Sequence, residues 1–188
     1  MTPAGTIDLA ASTPWDELAP RIVDPRAGTD LEVARYACAS RHTRATHDIA
    51  AYARQSFPPG RPVLLGAWNL VERIHSDFTF DPTATDISTP VTQVLQQRRG
   101  VCQDFSHLAL ACLRALRLSA RYVSGYIMTR SPIGSPRLAG ADASHAWISV
   151  WSPEFGWVDF DPTNGLMPKD EHITIAFGRD YDDVSPIG

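Results

Sequence analysis

Arg98-Arg99-Gly100-Val101-Cys102-Gln103-Asp104-Phe105-Ser106-His107 puts one cysteine at the predicted first turn of an amphipathic helix. Beyond it, Phe105, Leu108, Ala109, Ala111, Cys112, Leu113, Ala115 and Leu116 form a broad apolar face, so the spacing predicts a helix over 102–118. At a helix N-terminus, unpaired backbone N–H groups and the positive end of the macrodipole favour thiolate over thiol, and the thiolate is the form that attacks. Cys102 is therefore a candidate nucleophile. Asp104, in the same turn, reads as a helix cap rather than an acid or base.

Upstream the pattern is helical. Val91, Val94 and Leu95 make a short helix after Thr89-Pro90, and residues 78–89 read as a loop. Residues 62–76 carry Leu64, Leu65, Ala67, Trp68, Leu70, Val71 and Ile74 at helical spacing, with Pro62 in the first turn and Pro58-Pro59-Gly60 as a breaker before it. Residues 30–55 read as two helices broken near 41–46, with Asp30 as an N-cap. Residues 1–28, rich in Pro, Ala, Thr and Asp, read as an extended lead-in pinned by Trp15 and Leu18, leaving 29–188 as the catalytic domain.

Downstream the period changes. Residues 120–128, 144–151 and 156–160 are rich in β-branched and aromatic side chains between Pro and Gly turns, and 173–177 form a further candidate strand. Helices followed by strands predict an α+β fold. The Ser/Pro/Gly-rich segment 130–142 reads as a hairpin connection, with a lid as its functional alternative.

Cys102 needs a partner, because an unperturbed thiol with pKa ~8.5 is only a few per cent thiolate near neutral pH. His145, in Ala143-Ser144-His145-Ala146-Trp147, starts a strand between small residues that leave its ring accessible. An imidazolium there could favour the thiolate and later protonate a leaving amine. The ring needs an acceptor on its far nitrogen, and Asp161, in Trp157-Val158-Asp159-Phe160-Asp161-Pro162-Thr163-Asn164, is reached by a hairpin through Ser152-Pro153-Glu154-Phe155-Gly156. His107 reads as a packing or supporting residue; His42, His47, His75 and His172 lack a surrounding motif. Cys38 and Cys112 read as small buried apolar residues. Cys102-x4-His107-x4-Cys112 matches no common zinc pattern, so no metal is expected. The Cys102 N–H is the natural first oxyanion donor, with Gln96, Gln97 and Gln103 as chemical candidates for the second.

Composition agrees with a globular chain, most of which should fold. At 188 residues, 44% hydrophobic and 20% charged, the chain suits one substantial core. A formal net charge of -4 argues against nucleic acid, and no apolar run is long enough to span a bilayer, so no nucleic-acid or membrane partner is expected. The N-terminus has no basic and apolar leader pattern, and three cysteines do not make a disulfide framework, which together predict a cytoplasmic protein with reduced thiols.

Arg99-Gly100-Val101-Cys102-Gln103-Asp104-Phe105, Ala120-Arg121-Tyr122-Val123-Ser124-Gly125-Tyr126, Ser144-His145-Ala146-Trp147, and Trp157 followed by Asp161-Pro162-Thr163-Asn164 occur in one order. In these blocks the chain resembles the transglutaminase-like superfamily, specifically its bacterial cysteine proteases. The resemblance implies a papain-like core, a nucleophile helix packed on an antiparallel sheet, Cys102 as nucleophile, His145 as base and Asp161, rather than the competing Asp159, as orienting acid. It implies no cofactor, and a peptide or protein as substrate. The family's β-rich flanking segments look absent, as in an excised domain. Hydrolysis of a peptide or carboxamide is the expected reaction; transfer to a lysine amine, arylamine acetylation and non-catalytic peptide binding are the alternatives.

Overall fold

The computed structural model describes residues 6–23, 31–128 and 144–185. Asp30 and the expected loop over 130–142 lie outside the described residues. Helices α1 (Trp15–Val23), α2 (Leu31–Ala34), α3 (His47–Arg54), α4 (Val63–Asp77), α5 (Val91–Gln97) and α6 (Cys102–Ala115) lead into strands β3 (Ala120–Ile127), β4 (Ser144–Ser152), β5 (Gly156–Phe160) and β6 (His172–Gly178). Two further short strands, β1 (Thr79–Phe80) and β2 (Arg99–Gly100), pair in parallel. The mixed helix-then-sheet order is the α+β fold expected.

Two local readings change. Part of the lead-in is helical: Leu18, Ala19 and Ile22 bury one side of α1, and Asp16 and Glu17 lie in its first turn where the dipole favours acids. Nine residues interrupted by Pro20 carry too short a period to stand out from the sequence. The loop over 78–89 also contributes β1, because Thr79 N–H donates to Arg98 O and Asp81 N–H to Gly100 O. That ladder holds the segment just before Cys102.

Helix α6 runs through the centre. Every residue from Asp104 to Arg114 is buried. Its Phe105, Leu108, Ala109 and Cys112 share one core with Ile49 and Tyr52 of α3, Leu70 and Ile74 of α4, and Ala120, Tyr122, Ala146, Ile148, Val150, Val158 and Phe160 of the sheet. A fully buried leucine such as Leu108 is worth roughly 2–5 kcal/mol against alanine at such a position.

The main sheet has the order β5-β4-β3-β6 with antiparallel neighbours, so β6 is an edge strand joined to β3. Its register against β3 shifts between Ser124 and Gly125. Gly125 is required here, because a Cβ would fall 2.1 Å from Ile173 O and 2.5 Å from the Trp147 ring.

Arg114 fixes the C-terminal end of α6. Its guanidinium donates to Tyr36 O, Ser40 Oγ, Thr43 Oγ1, Ala120 O and Arg179 O. Burial depresses its pKa to about 10, but these acceptors satisfy the charge.

Candidate active site

The start of α6 is built by its neighbours. Val101 N–H donates to Asp104 Oδ2 at 2.8 Å, and Thr85 Oγ donates to the same oxygen at 2.6 Å. Burial raises the Asp104 pKa against those two hydrogen bonds, and the carboxylate caps the turn as expected. Gly100 leaves room for it: a Cβ there would lie 2.7 Å from Asp104 Oδ2. Cys102 is the first residue of α6 and half-buried, while Cys112 is fully buried. Burial pushes the Cys112 thiol up to about 12, the state of an inert packing cysteine. Cys38 corrects the expectation: it is exposed, because the chain turns into extended backbone there after the 3-10 turn Arg35–Ala37.

The β4–β5 hairpin pairs Ser149 with Asp159 and Ser152 with Gly156, returning the chain beside the start of β4. His145 and Asp161 meet there. His145 Nε2 lies 2.8 Å from Asp161 Oδ2, and both side chains are fully buried. The ring's Nδ1 is buried without a hydrogen-bond partner. Burial alone would lower the His145 pKa; the Asp161 hydrogen bond, followed by the influence of Cys102, overrides it and raises the ring to about 9. Cys102 is thus close enough to act on the imidazole, whose Nε2 is already committed to Asp161. The structure brings together all three residues singled out from the sequence.

Asp161 is held by an unusually complete set of donors. Thr163 and Asn164 N–H groups donate to Oδ1, while Asn164 Nδ2, His145 and His172 Nε2 converge on Oδ2. Burial opposes ionisation, but the hydrogen bonds from His145 and then His172 outweigh it and hold the carboxyl far below the usual range. The turn is pinned from α4, where His75 Nδ1 donates to Thr163 O at 2.9 Å. Gly165, with φ +63°, packs on that ring; a Cβ would lie 2.7 Å from it. Asp159 is engaged elsewhere, accepting from Trp147 Nε1 at 3.1 Å.

Sequence reading missed His172 and His75. Neither has a local motif, and each reaches the site only through tertiary structure, from β6 and α4. The remaining candidates take other places. Gln96 and Gln97 are exposed and Gln103 is half-buried. His107 is buried, stacks on His42 at 5.0 Å and accepts from Tyr181 N–H at 3.2 Å, and burial drives its pKa down to about 3. His145, Asp161 and His172 offer ligand atoms within 4.8 Å of one another and are the described residues that could hold a cation. Their close Nε2···Oδ2 approaches are also fully explained as two hydrogen bonds to one carboxylate oxygen.

A model of the transglutaminase-like superfamily matches residues 50–162, which include Cys102, His145 and Asp161. The uncharacterized protein Rv2569c of Mycobacterium tuberculosis is 48% identical over 146 residues, covering 76% of this chain and 46% of its own length. A protein-glutamine gamma-glutamyltransferase of Pseudomonas aeruginosa is 31% identical over 108 residues, covering 53% of this chain and 16% of its own. Among solved structures, a candidate cysteine protease from Cytophaga hutchinsonii superposes with a TM-score of 0.72 at 26% identity, covering 86% of this chain and 52% of that one. The chain spans about half the length of the mycobacterial relative. No helix among the described residues is long and apolar enough to cross a membrane. The fold shared with the Cytophaga hutchinsonii structure and the family match over residues 50–162 lead to one conclusion: this chain belongs to the transglutaminase-like superfamily.

Proposed function

We propose that the protein is a thiol-dependent acyl-transfer enzyme, a cysteine protease or amidase, with Cys102 as nucleophile, His145 as general acid and base, and Asp161 as the group that orients His145. One observation carries the reading: a fully buried 2.8 Å His145–Asp161 hydrogen bond that commits Nε2 and leaves Nδ1 for the cysteine at the start of α6. The Cys102 thiolate attacks the carbonyl carbon of a peptide or carboxamide, and the oxygen takes up the displaced electron pair. Collapse of the tetrahedral intermediate breaks the C–N bond, and the proton on His145 Nδ1 leaves with the amine. His145 then takes a proton from water as that water attacks the thioester, releasing the acid and restoring the thiolate. Asp161, already saturated with donors, stays a carboxylate throughout and fixes the tautomer.

The similarity to a protein-glutamine gamma-glutamyltransferase favours a second reading, in which a lysine amine replaces water in the last step. The reduced cytoplasm suits a free-thiol mechanism and is our proposed compartment. The test incubates the protein and its Cys102→Ala variant with peptide libraries, with and without an added primary amine, and reads products by mass spectrometry. Cleavage or deamidation that needs Cys102 supports hydrolysis. Amine-dependent mass gain at glutamine selects transfer. Identical products from wild type and variant would overturn both readings.

A further inference from the structure

We infer that His172 is a positioning residue of this site, one that shares Asp161 with His145 and thereby moderates how strongly His145 holds its proton. The inference builds on the reading of His145 as acid and base. His172 is the first residue of β6, pairs with Ile127 at the end of β3, and is almost fully buried. Its Nε2 donates to Asp161 Oδ2 at 3.0 Å, the oxygen that also accepts from His145 at 2.8 Å and from Asn164 at 2.8 Å. Trp147 meets the His172 ring edge-on at 5.2 Å, and the two histidine rings are 6.0 Å apart. The ring therefore has packing on one side and a committed hydrogen bond on the other.

The chemistry follows from competition for one oxygen. Each donor on Oδ2 disperses carboxylate charge that would otherwise stabilise the His145 imidazolium. The ionisable groups facing His145 are Cys102 from α6, Asp161 after β5 and His172 from β6. Of these, His172 reaches His145 through the shared Asp161 oxygen, with an edge-on ring contact beside it. Removing its donor strengthens Asp161 as an acceptor for His145, so His145 becomes the stronger base and the poorer acid. That change would slow protonation of the leaving amine more than attack. The position of His172 adds a second point: it lies beyond residue 162, where the family match ends, so the site is completed by a strand outside the matched core.

The test compares wild type, His172→Gln and His172→Phe by NMR titration of the His145 imidazole nitrogens, in buffer containing EDTA. Glutamine places an N–H donor near the position of Nε2; phenylalanine keeps the ring and loses the donor. The expected result is that His172→Phe raises the His145 midpoint by roughly half a pH unit or more while His172→Gln leaves it within a fraction of that. Where His172→Phe does not fold, His172→Asn, whose amide ends short of Asp161, takes its place with the same expectation. An unchanged His145 midpoint in a folded donor-less variant overturns the inference. A wild-type titration that changes on removing EDTA and adding zinc, with His172→Gln insensitive to the metal, would replace it with a cation site. Because the readout needs no substrate, it stands apart from the Cys102→Ala activity test: loss of the proposed function leaves the midpoint shift intact, and loss of the shift leaves the function intact.

Discussion

Asp161→Asn should make the stability of this protein lose a specific part of its pH dependence. In the folded protein His145 rises from the ordinary 6.5 to about 9, with Asp161 as the leading favourable cause against burial. A histidine raised on folding contributes its full stabilisation below pH 6.5 and loses it as pH rises through about 9. Asp161 is shifted the other way, so its own contribution is present above the usual carboxylate range and is lost only in strong acid. Between pH 6 and 10 the histidine term alone changes. A rise from 6.5 to about 9, at about 1.36 kcal/mol per pH unit, amounts to roughly 3 kcal/mol, part of which Cys102 supplies. The asparagine variant keeps the shape of the turn but presents an amide to His145, His172 and Asn164, so it is less stable at pH 6 by at least the Asp161 share. Urea unfolding of both proteins at pH 6, 7.5, 9 and 10 checks this. The stability gap should narrow by roughly 2 kcal/mol across the series, since histidine residues that do not touch Asp161 cancel in the difference. A gap that stays constant with pH would falsify the view that Asp161 holds a charged His145.

Three further outcomes follow from the packing. Gly125→Ala should cost roughly 1–3 kcal/mol in urea unfolding, because its Cβ meets Ile173 O and the strand carrying His172 must shift; a neutral result would contradict the close approach. Arg114→Met should cost on the order of 3 kcal/mol, since it takes the guanidinium away from five buried or half-buried acceptors, of which Thr43 Oγ1 keeps the Ser40 N–H; a cost below 1 kcal/mol, by the same measure, would show that the core repacks around it. Iodoacetamide on the native protein, followed by peptide mapping, should label Cys38 and Cys102 and spare Cys112 until urea is added, because Cys112 is buried and its thiol is raised to about 12.

The parts of the fold legible in the sequence were those with a sustained period. Helix α6 and strands β3 to β5 carry apolar patterns long enough to identify, and Gly156 marks the turn between β4 and β5. Cys102, His145 and Asp161 each sit at an element terminus, which is where local motifs speak most clearly. Helix α1 was hidden because its buried stripe consists of Leu18, Ala19 and Ile22 around a proline. β1 was hidden because a two-residue bridge leaves no alternation to detect. Cys38 was misjudged because the helical pattern around it ends one residue too early. His172 and His75 were illegible for a different reason: their partners are eleven and eighty-eight residues away along the chain, and nothing adjacent to either histidine encodes the contact.

The guanidinium of Arg114 also bears on how much chain this fold needs. Arg179 O accepts from it, and Tyr181 N–H donates to His107, about two turns closer to Cys102 on the same helix. The segment after β6 is therefore a brace for helix α6. A minimal folding unit drawn at the end of the family match, residue 162, would omit that brace together with the donors at Thr163, Asn164 and His172. A unit that keeps all of these contacts runs at least through Tyr181.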